Sequence, residues 1–269
     1  MRTNNKDLPL DQFIEFALYD KDKGYYMKKN PFGKEGDFIT APNITRLFSE
    51  IIAIWVVTFW KSIGSPKKFN LLELGAGNGE MMKVIWATLK NFPECFNSCS
   101  FLIHEKSDFL INKQKVNLKS EKISWIKDIK KVNSHPIIFL ANEFFDALPI
   151  KQFFKKKEDW IERFVDLKEE NKAEFKEQLT DIKKIEQQLN FEISKNQNII
   201  EYSPDAFKYL KNICSIVKKN DGGILIIDYG YLNSKMHETL QAVNNHEYSN
   251  VLENIGNTDI TYNINFNLF

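Results

Sequence analysis

A run of glycines between an apolar segment and a polar one is the part of the sequence best suited to chemistry. Residues 71–80 read Leu-Leu-Glu-Leu-Gly-Ala-Gly-Asn-Gly-Glu. Such glycines let a strand turn into a helix while the backbone comes close to a ligand, and the helix N-terminus offers free amides. The turn therefore predicts a ligand-binding site, which we assign to Glu73, Gly75, Ala76, Gly77 and Gly79.

The spacing of these glycines helps to decide which class of ligand the turn binds. The pattern is G-x-G-x-G, and Glu80 stands where a dinucleotide-binding turn has its last Gly or Ala. Glu73 and Glu80 would repel a pyrophosphate, whereas a cationic ligand tolerates them. A dinucleotide-dependent oxidoreductase is therefore the third and least favoured interpretation.

Acidic residues follow the next apolar runs of the chain. Glu105 comes directly after one run and can accept hydrogen bonds from both hydroxyls of a ribose. It lies 30 residues past Gly75, later than the roughly 20 expected of a dinucleotide enzyme. Asp128 follows the next run, in a position to meet an adenine edge. The run 136–141 leads into Asn142, Glu143 and Asp146, polar groups at the end of a central strand, where open α/β sheets bind ligands.

The elements that must position these residues follow from the hydrophobic pattern. Short apolar runs alternate with helical segments from residue 69 onwards, which predicts a doubly wound parallel sheet. Helical spacing of Leu10, Phe13, Ile14, Ala17 and Leu18 predicts an amphipathic helix at the N-terminus. We expect N-terminal helices and a lid loop over 1–62, and the sheet domain over 63–269.

Three further segments carry structural expectations. A helix over about 43–62 is apolar on most sides, which predicts burial. The charged stretch 155–198 is read as an insertion. Helical spacing within it predicts a solvated helix with one packed stripe, formed by Phe175, Leu179, Ile182, Ile185 and Leu189. Alternation over 260–268 predicts a final strand. Without that strand or a partner, the strand at 223–228 would keep an open edge.

The order of these elements resembles that of class I S-adenosylmethionine methyltransferases. Three segments, 24–42, 141–153 and 222–231 followed by 238–243, resemble the MidA-type methyltransferases, and the resemblance extends over residues 8–269. That family includes the mitochondrial complex I assembly factor that methylates a protein arginine. The resemblance implies a Rossmann-like sheet, S-adenosylmethionine as cofactor, and a protein arginine as substrate.

An arginine acceptor requires carboxylates that hold its guanidinium and orient one nitrogen. Glu143 and Asp146 are the candidates for this grip, although Glu143 could be a cap or ion-pair residue and Asp146 could cap the turn before Pro149. Asn142 either contacts the reacting nitrogen or holds the loop. Thr40 is expected in a lid over the cofactor, or as a helix N-cap.

The sequence also departs from the family pattern. Asn43 stands where the family has Glu after T-A-P, and the glycine turn, G-P-G-R-G-T in the family, has Ala76, Asn78 and Glu80 here. Asn263 and Asn265 replace a His and an Asp, and the family continues for further C-terminal strands. These last departures favour the alternative hypothesis, a non-catalytic assembly factor or scaffold that retains the fold.

The composition of the chain limits which partners and which cellular compartment we expect. The chain has 37 basic and 36 acidic residues, a net charge of +1, which gives no electrostatic reason to expect nucleic acid. Its most apolar stretch, 51–57, is too short to span a bilayer, so no membrane insertion is expected. Three cysteines favour a reducing compartment. Cys95, Cys99 and His104 lack a fourth zinc ligand, and we assign no metal. We expect a cytoplasmic protein (mitochondrial matrix in a eukaryote), with a homodimer or other partner covering the sheet edge.

Overall fold

The computed structural model describes residues 7–28, 31, 41–119, 122–132, 134–169, 172–244 and 247–269. Its helices are α1 (Leu10–Tyr19), α2 (Tyr25–Lys28), α3 (Ala41–Ile44), α4 (Arg46–Ser62), α5 (Glu80–Leu89), α6 (Pro93–Ser98), α7 (Asp108–Leu118), α8 (Ile182–Leu189) and α9 (Pro204–Asn220). Its strands are β1 (Leu8–Pro9), β2 (Phe69–Leu74), β3 (Cys99–His104), β4 (Ile123–Ile126), β5 (Ile137–Asn142), β6 (Lys151–Lys156), β7 (Asp159–Glu169), β8 (Lys172–Thr180), β9 (Ile199–Tyr202), β10 (Gly222–Ile227), β11 (Gly230–Tyr231), β12 (Gln241–Asn244), β13 (Glu247–Ser249), β14 (Asp259–Thr261) and β15 (Ile264–Asn265).

A parallel sheet is the centre of one compact unit, which comprises Tyr26–Phe144 and Tyr209–Asp228. The strand order is β10-β5-β2-β3-β4, and every neighbouring pair is parallel. Every residue of β2 is buried, as expected for a central strand that helices cover on both faces. The predicted α/β class with a doubly wound parallel sheet is therefore confirmed. Within the described chain, β10 pairs with β5 alone and forms one edge of the sheet.

Helix α4 packs with α5 in the core of this unit, but it is not buried on most sides as predicted. Its inward stripe is buried, with Val56 fully enclosed, whereas Leu47 and Ile51 are each 59% exposed. The predicted helix over 43–62 is also divided into α3 and α4. Thr45 separates the two and caps α4, because its hydroxyl oxygen accepts a hydrogen bond from the Leu47 amide at 3.2 Å.

The second compact unit comprises Met1–Tyr25, Phe145–Lys208 and Tyr229–Phe269. It contains an antiparallel sheet of order β1-β7-β6-β9, in which β8 pairs with the other side of β7. The apolar residues predicted for α1 are all buried, and this helix lies against β6 and β7. The two units do not follow the division predicted at 62/63. Helix α4 joins the parallel sheet, whereas β1 pairs with β7 more than 150 residues later in the chain.

The prediction of a solvated helix with one packed stripe in 155–198 is confirmed for Ile182, Ile185 and Leu189, which lie on α8 and pack in one cluster, and is wrong for Phe175 and Leu179. Residues 159–169 and 172–180 form the antiparallel pair β7 and β8, and the helix in the described part of this stretch is 182–189. Phe175 and Leu179 lie on β8, because a spacing of four suits one face of a strand as well as one face of a helix. Pairing with β7, the strand that directly precedes β8 in the chain, selects the strand, and the spacing within β8 alone does not show this pairing.

The predicted C-terminal strand is present only in part. Alternation over 260–268 resolves into two short strands, β14 and β15, with Tyr262 and Asn263 between them. Asn265 ends the second strand because its side-chain oxygen accepts hydrogen bonds from the amides of Asn267 and Leu268. In the described parts of the chain, no helix combines the length and the apolar character that crossing a membrane requires.

Candidate cofactor and acceptor site

The glycine turn joins the buried end of β2 to the first turn of α5. Gly75, Gly77 and Gly79 have φ values of 64°, 53° and 85°, in the left-handed region that glycine adopts at least cost. The amide of Gly79 donates to the carbonyl of Ala76 at 2.7 Å, and the amide of Gly75 donates to the carbonyl of His104 at 2.9 Å. The sequence G-x-G-x-G is therefore required by the backbone path of this turn.

A depression lies above the turn, at the carboxyl ends of β2 and β5, and its walls all belong to the unit with the parallel sheet. We call it the glycine-turn pocket. Its empty volume is about 390 Å³, part of it open to solvent. It is lined by Pro42, Asn43, Glu73, Gly75, Ala76, Gly77, Asn78, Met81, Asn142 and Glu143. Among these lining residues the ionisable side chains are those of Glu73 and Glu143, and none is a Lys or an Arg.

Glu73 is the most deeply buried acid of this pocket, with 3% of its surface exposed. One carboxyl oxygen accepts a hydrogen bond from the amide of Met82. The other, Oε2, has no hydrogen-bond partner within the described parts of the chain. Burial, and secondarily the charge of Glu105, raise the pKa of Glu73 to about 8. An unsatisfied buried oxygen in a pocket is a site where a ligand donor or cation would be accepted.

Glu105 lies beside the glycine turn without lining the pocket. Its Oε1 accepts a hydrogen bond from the amide of Ser107 at 3.0 Å, and its Oε2 accepts one from Gln114 Nε2 at 3.1 Å. Burial raises its pKa, and these donors act against that rise. A ribose bound here would share or replace these hydrogen bonds. The role of Glu105 in ribose binding stays a prediction.

Gln114 of α7 was missed by the sequence analysis, although it links Glu105 to the glycine turn. Its Nε2 also donates to the carbonyl of Gly77 at 2.9 Å, and its Oε1 accepts from Trp125 Nε1 at 2.8 Å. The side chain is completely buried. A buried glutamine on a helix face has no distinctive sequence signal, because its importance depends on partners from three other elements.

Asn142 and Glu143 meet at the end of β5, in the wall of the pocket opposite the turn. Glu143 has a φ of 48°, unusual for a residue with a side chain, and its amide donates to the carbonyl of Ile227 at 2.9 Å. Its carboxylate accepts from the amide of Ala41, and burial raises its pKa. Asn142 Nδ2 lies 3.5 Å from Glu143 Oε1, while its Oδ1 is buried with no partner in the described ranges. Both side chains could therefore bind a polar group in the pocket.

The remaining predicted site residues have different placements. Asp128 is exposed and caps a short 3-10 turn by accepting from the amide of Lys130 at 3.0 Å, so it does not line the pocket. Gly79 also lies outside the lining, where a Cβ would meet Gln114 and Leu118 at 3.4 Å. Asp146 belongs to the other compact unit, where it is buried. Thr40 lies outside the described residues.

Two of the departures from the family pattern contact each other. Asn78 Nδ2 donates to Asn43 Oδ1 at 2.9 Å, which joins α3 to the glycine turn. In the family pattern these two positions are an Arg and a Glu. A neutral amide pair therefore stands where the pattern has residues of opposite charge. Asn117 of α7 supports the same turn by donating to the carbonyl of Asn78 at 2.9 Å.

The parallel strand order and the glycine turn after β2 are typical of Rossmann-like proteins that bind nucleosides. The carboxyl groups in the pocket wall favour a ligand that carries positive charge. Comparison with known proteins specifies the family. Residues 51–269 match the family described as "Putative S-adenosyl-L-methionine-dependent methyltransferase". The chain belongs to this family, and the prediction of S-adenosylmethionine as cofactor is confirmed at the level of the family.

Relatives cover nearly the whole chain. The mitochondrial protein arginine methyltransferase NDUFAF7 of Xenopus laevis is 27% identical over an alignment of 298 positions, which covers 97% of this chain and 65% of the relative. The mouse protein of the same name is 28% identical, and the alignment covers 95% of this chain and 64% of the length of the mouse protein. The chain thus spans slightly less than two thirds of the length of these relatives.

A solved structure agrees with the fold. A Burkholderia thailandensis protein, crystallised with S-adenosyl-homocysteine, superimposes with a TM-score of 0.78 at 21% identity, covering 97% of this chain and 70% of its own. At this identity the likeness establishes the architecture and no residue role.

Proposed function

We propose that this protein is an S-adenosylmethionine-dependent methyltransferase that methylates an arginine side chain of another protein. The observation that carries the proposal is the glycine-turn pocket, whose charged lining residues are carboxylates. Family membership supports the cofactor, and the names of the relatives support a protein arginine as acceptor. The stated resemblance makes a subunit of respiratory complex I the leading acceptor, and the names of the relatives favour the mitochondrial matrix if the source is eukaryotic.

The residues present fit an adenosyl sulfonium. The turn from Gly75 to Gly79 allows close approach of a ligand to the backbone, and Glu73 offers an unsatisfied carboxyl oxygen to positive charge. When bound, the cofactor supplies an electrophilic methyl group, so the protein has to position the acceptor and exclude water. Glu105 is proposed to hold the ribose from beside the turn.

Glu143 and Asn142 are proposed to hold the acceptor. A guanidinium keeps its charge because its pKa exceeds about 12, and a carboxylate is the group that binds it with matched geometry. Glu143 is held at a fixed position by its backbone bond to Ile227 and by the Ala41 amide. Asp146, the second carboxylate that the sequence analysis assigned to this grip, stays a proposal.

Calorimetry with the purified protein tests the cofactor site. We expect S-adenosyl-homocysteine to bind and NADH not to bind. Glu143→Gln should leave the affinity for S-adenosyl-homocysteine within about twofold while abolishing methyl transfer, because the substitution removes charge from the acceptor side only. Binding of neither ligand would favour the non-catalytic scaffold, and tight binding of NADH would favour an oxidoreductase.

The acceptor is tested in cell extracts. Extracts from cells that lack the gene should incorporate labelled methyl groups when the purified protein and labelled cofactor are added, and mass spectrometry should locate the label on arginine. The Glu143→Gln protein is the matched control. Label on another residue type would contradict the arginine proposal and leave the methyltransferase proposal intact.

A further inference from the structure

The glycine-turn pocket holds an acid whose surroundings do not suit a charged carboxylate. Glu73 is 3% exposed, and its Oε2 faces no donor among the residues that the structure describes. The amide of Met82 is the donor that the structure places on its carboxylate. A buried carboxylate with a single donor is poorly compensated, so the neutral acid is favoured.

Among the charged groups around Glu73, Glu105 reinforces this preference. Glu105, at the end of β3, raises the pKa of Glu73 by repulsion. Glu143, at the end of β5, adds a second carboxyl group to the pocket wall. On α5, Glu80 is already paired with Lys83 at 3.1 Å. The segment of α3 that lines the pocket contributes Pro42 and Asn43, which carry no charge.

We propose that Glu73 carries a proton in the unliganded protein and releases it when an adenosyl ligand brings positive charge into the pocket. This inference rests on the proposed function, because it requires the pocket to bind such a ligand. The positive charge has two sources: the ammonium group that S-adenosylmethionine and S-adenosyl-homocysteine share, and the sulfonium that only S-adenosylmethionine carries. Cofactor binding therefore releases a proton from Glu73, and the affinity for the cofactor rises with pH.

The direction of the pH effect follows from linkage. Burial and Glu105 raise the pKa of Glu73 to about 8, so most molecules are protonated at pH 7. A ligand cation beside the carboxyl group favours its charged form and lowers the pKa in the complex. Below pH 8 each bound ligand then displaces about one proton, and affinity rises by up to about tenfold per pH unit until the free protein is itself deprotonated.

The test is titration calorimetry at pH 7 in buffers of different ionisation enthalpy. The dependence of the binding enthalpy on the buffer gives the number of protons released, which we expect to be about one at pH 7 and to fall towards zero above pH 9. Release with both ligands identifies the ammonium group as the partner of Glu73, and release with S-adenosylmethionine alone identifies the sulfonium. Ligand binding without proton release at pH 7 would overturn the inference while leaving the proposed function standing.

Two matched variants assign the proton. Glu73→Gln keeps a polar side chain of the same length and should abolish both proton release and the rise of affinity with pH. Glu143→Gln makes the same change in the opposite wall and should retain the release. Release that persists in Glu73→Gln, or that disappears in Glu143→Gln, would show that another group titrates.

A measurement on the wild type makes the test independent of how well the variants fold. The infrared band of a protonated carboxyl group should be present at pH 7 without ligand and disappear when S-adenosylmethionine is added. Its persistence in the complex would refute the inference. Absence of adenosyl binding at any pH would instead refute the proposed function.

Discussion

Gln114 provides the strongest test of how the site is supported. In Gln114→Leu a side chain of similar size removes three hydrogen bonds at once, to the carbonyl of Gly77, the indole of Trp125 and the carboxylate of Glu105. Loss of a hydrogen bond to a neutral partner costs about 1 kcal/mol and loss of one to a charged partner about 1.5–3 kcal/mol. Because the site is fully buried, water cannot replace the bonds. We expect the free energy of unfolding to fall by about 3–5 kcal/mol.

Urea denaturation measures this change. The slope of the unfolding free energy against urea concentration should be the same for wild type and variant if both proteins unfold in the same way. Asn117→Ala is the control, because Asn117 lies one turn further along α7 and makes a single bond to the carbonyl of Asn78. Its loss should cost about 1 kcal/mol. If Gln114→Leu were no more destabilising than this control, the proposed support of the glycine turn by α7 would be refuted.

Three further outcomes are expected. Asn43→Glu should lower stability by adding a carboxylate beside Glu73 and Glu143, and Asn78→Arg in the same protein should restore it; a double variant worse than the sum of both would contradict the paired contact. Gly75→Ala should reduce thermal stability, since the position has φ 64° and a Cβ would lie 2.8 Å from an aromatic carbon of Phe144; an unchanged melting temperature would argue against this turn geometry. The unfolding free energy of the unliganded protein should fall as pH rises from about 5 to 8, because Glu73 binds its proton more tightly when folded, and Glu73→Gln should reduce this slope.

The pair Asn43 and Asn78 bears on the choice between an enzyme and a scaffold. Each departure alone reads as loss of a family feature, yet the two side chains form a hydrogen bond in the pocket wall. The contact shows that the two departures are adjacent in the structure, and calorimetry with S-adenosyl-homocysteine is the experiment that decides between an enzyme and a scaffold.

Local patterns in the sequence were sufficient for the elements nearest the ligand. The central strand β2 is a run of buried residues, and three alternate glycines with positive φ follow it, so composition and backbone geometry agree there. Helix α1 was predicted from its spacing, and each predicted apolar residue is buried. These features depend on interactions within a few residues, which a single sequence displays.

Pairing and packing between elements decided the rest. The strand β8 has a spacing that fits two structures, and only its partner β7 selects one of them. Helix α4 is apolar beyond its buried stripe, so its composition predicted more burial than its packing gives.

For the site, the sequence by itself determined the glycine turn, the acids that follow the strands and hence the class of ligand. The tertiary structure decided which acids share the pocket: Glu73 and Glu143 line it, Glu105 stands beside it bound to Gln114, and Asp128 is exposed. It also decided that Glu73 is buried and that no Lys or Arg stands among the described residues that line the pocket. The reason is physical, because the protonation of a carboxyl group depends on solvent exclusion and on charges from other strands, and neither is encoded in the residues adjacent to it.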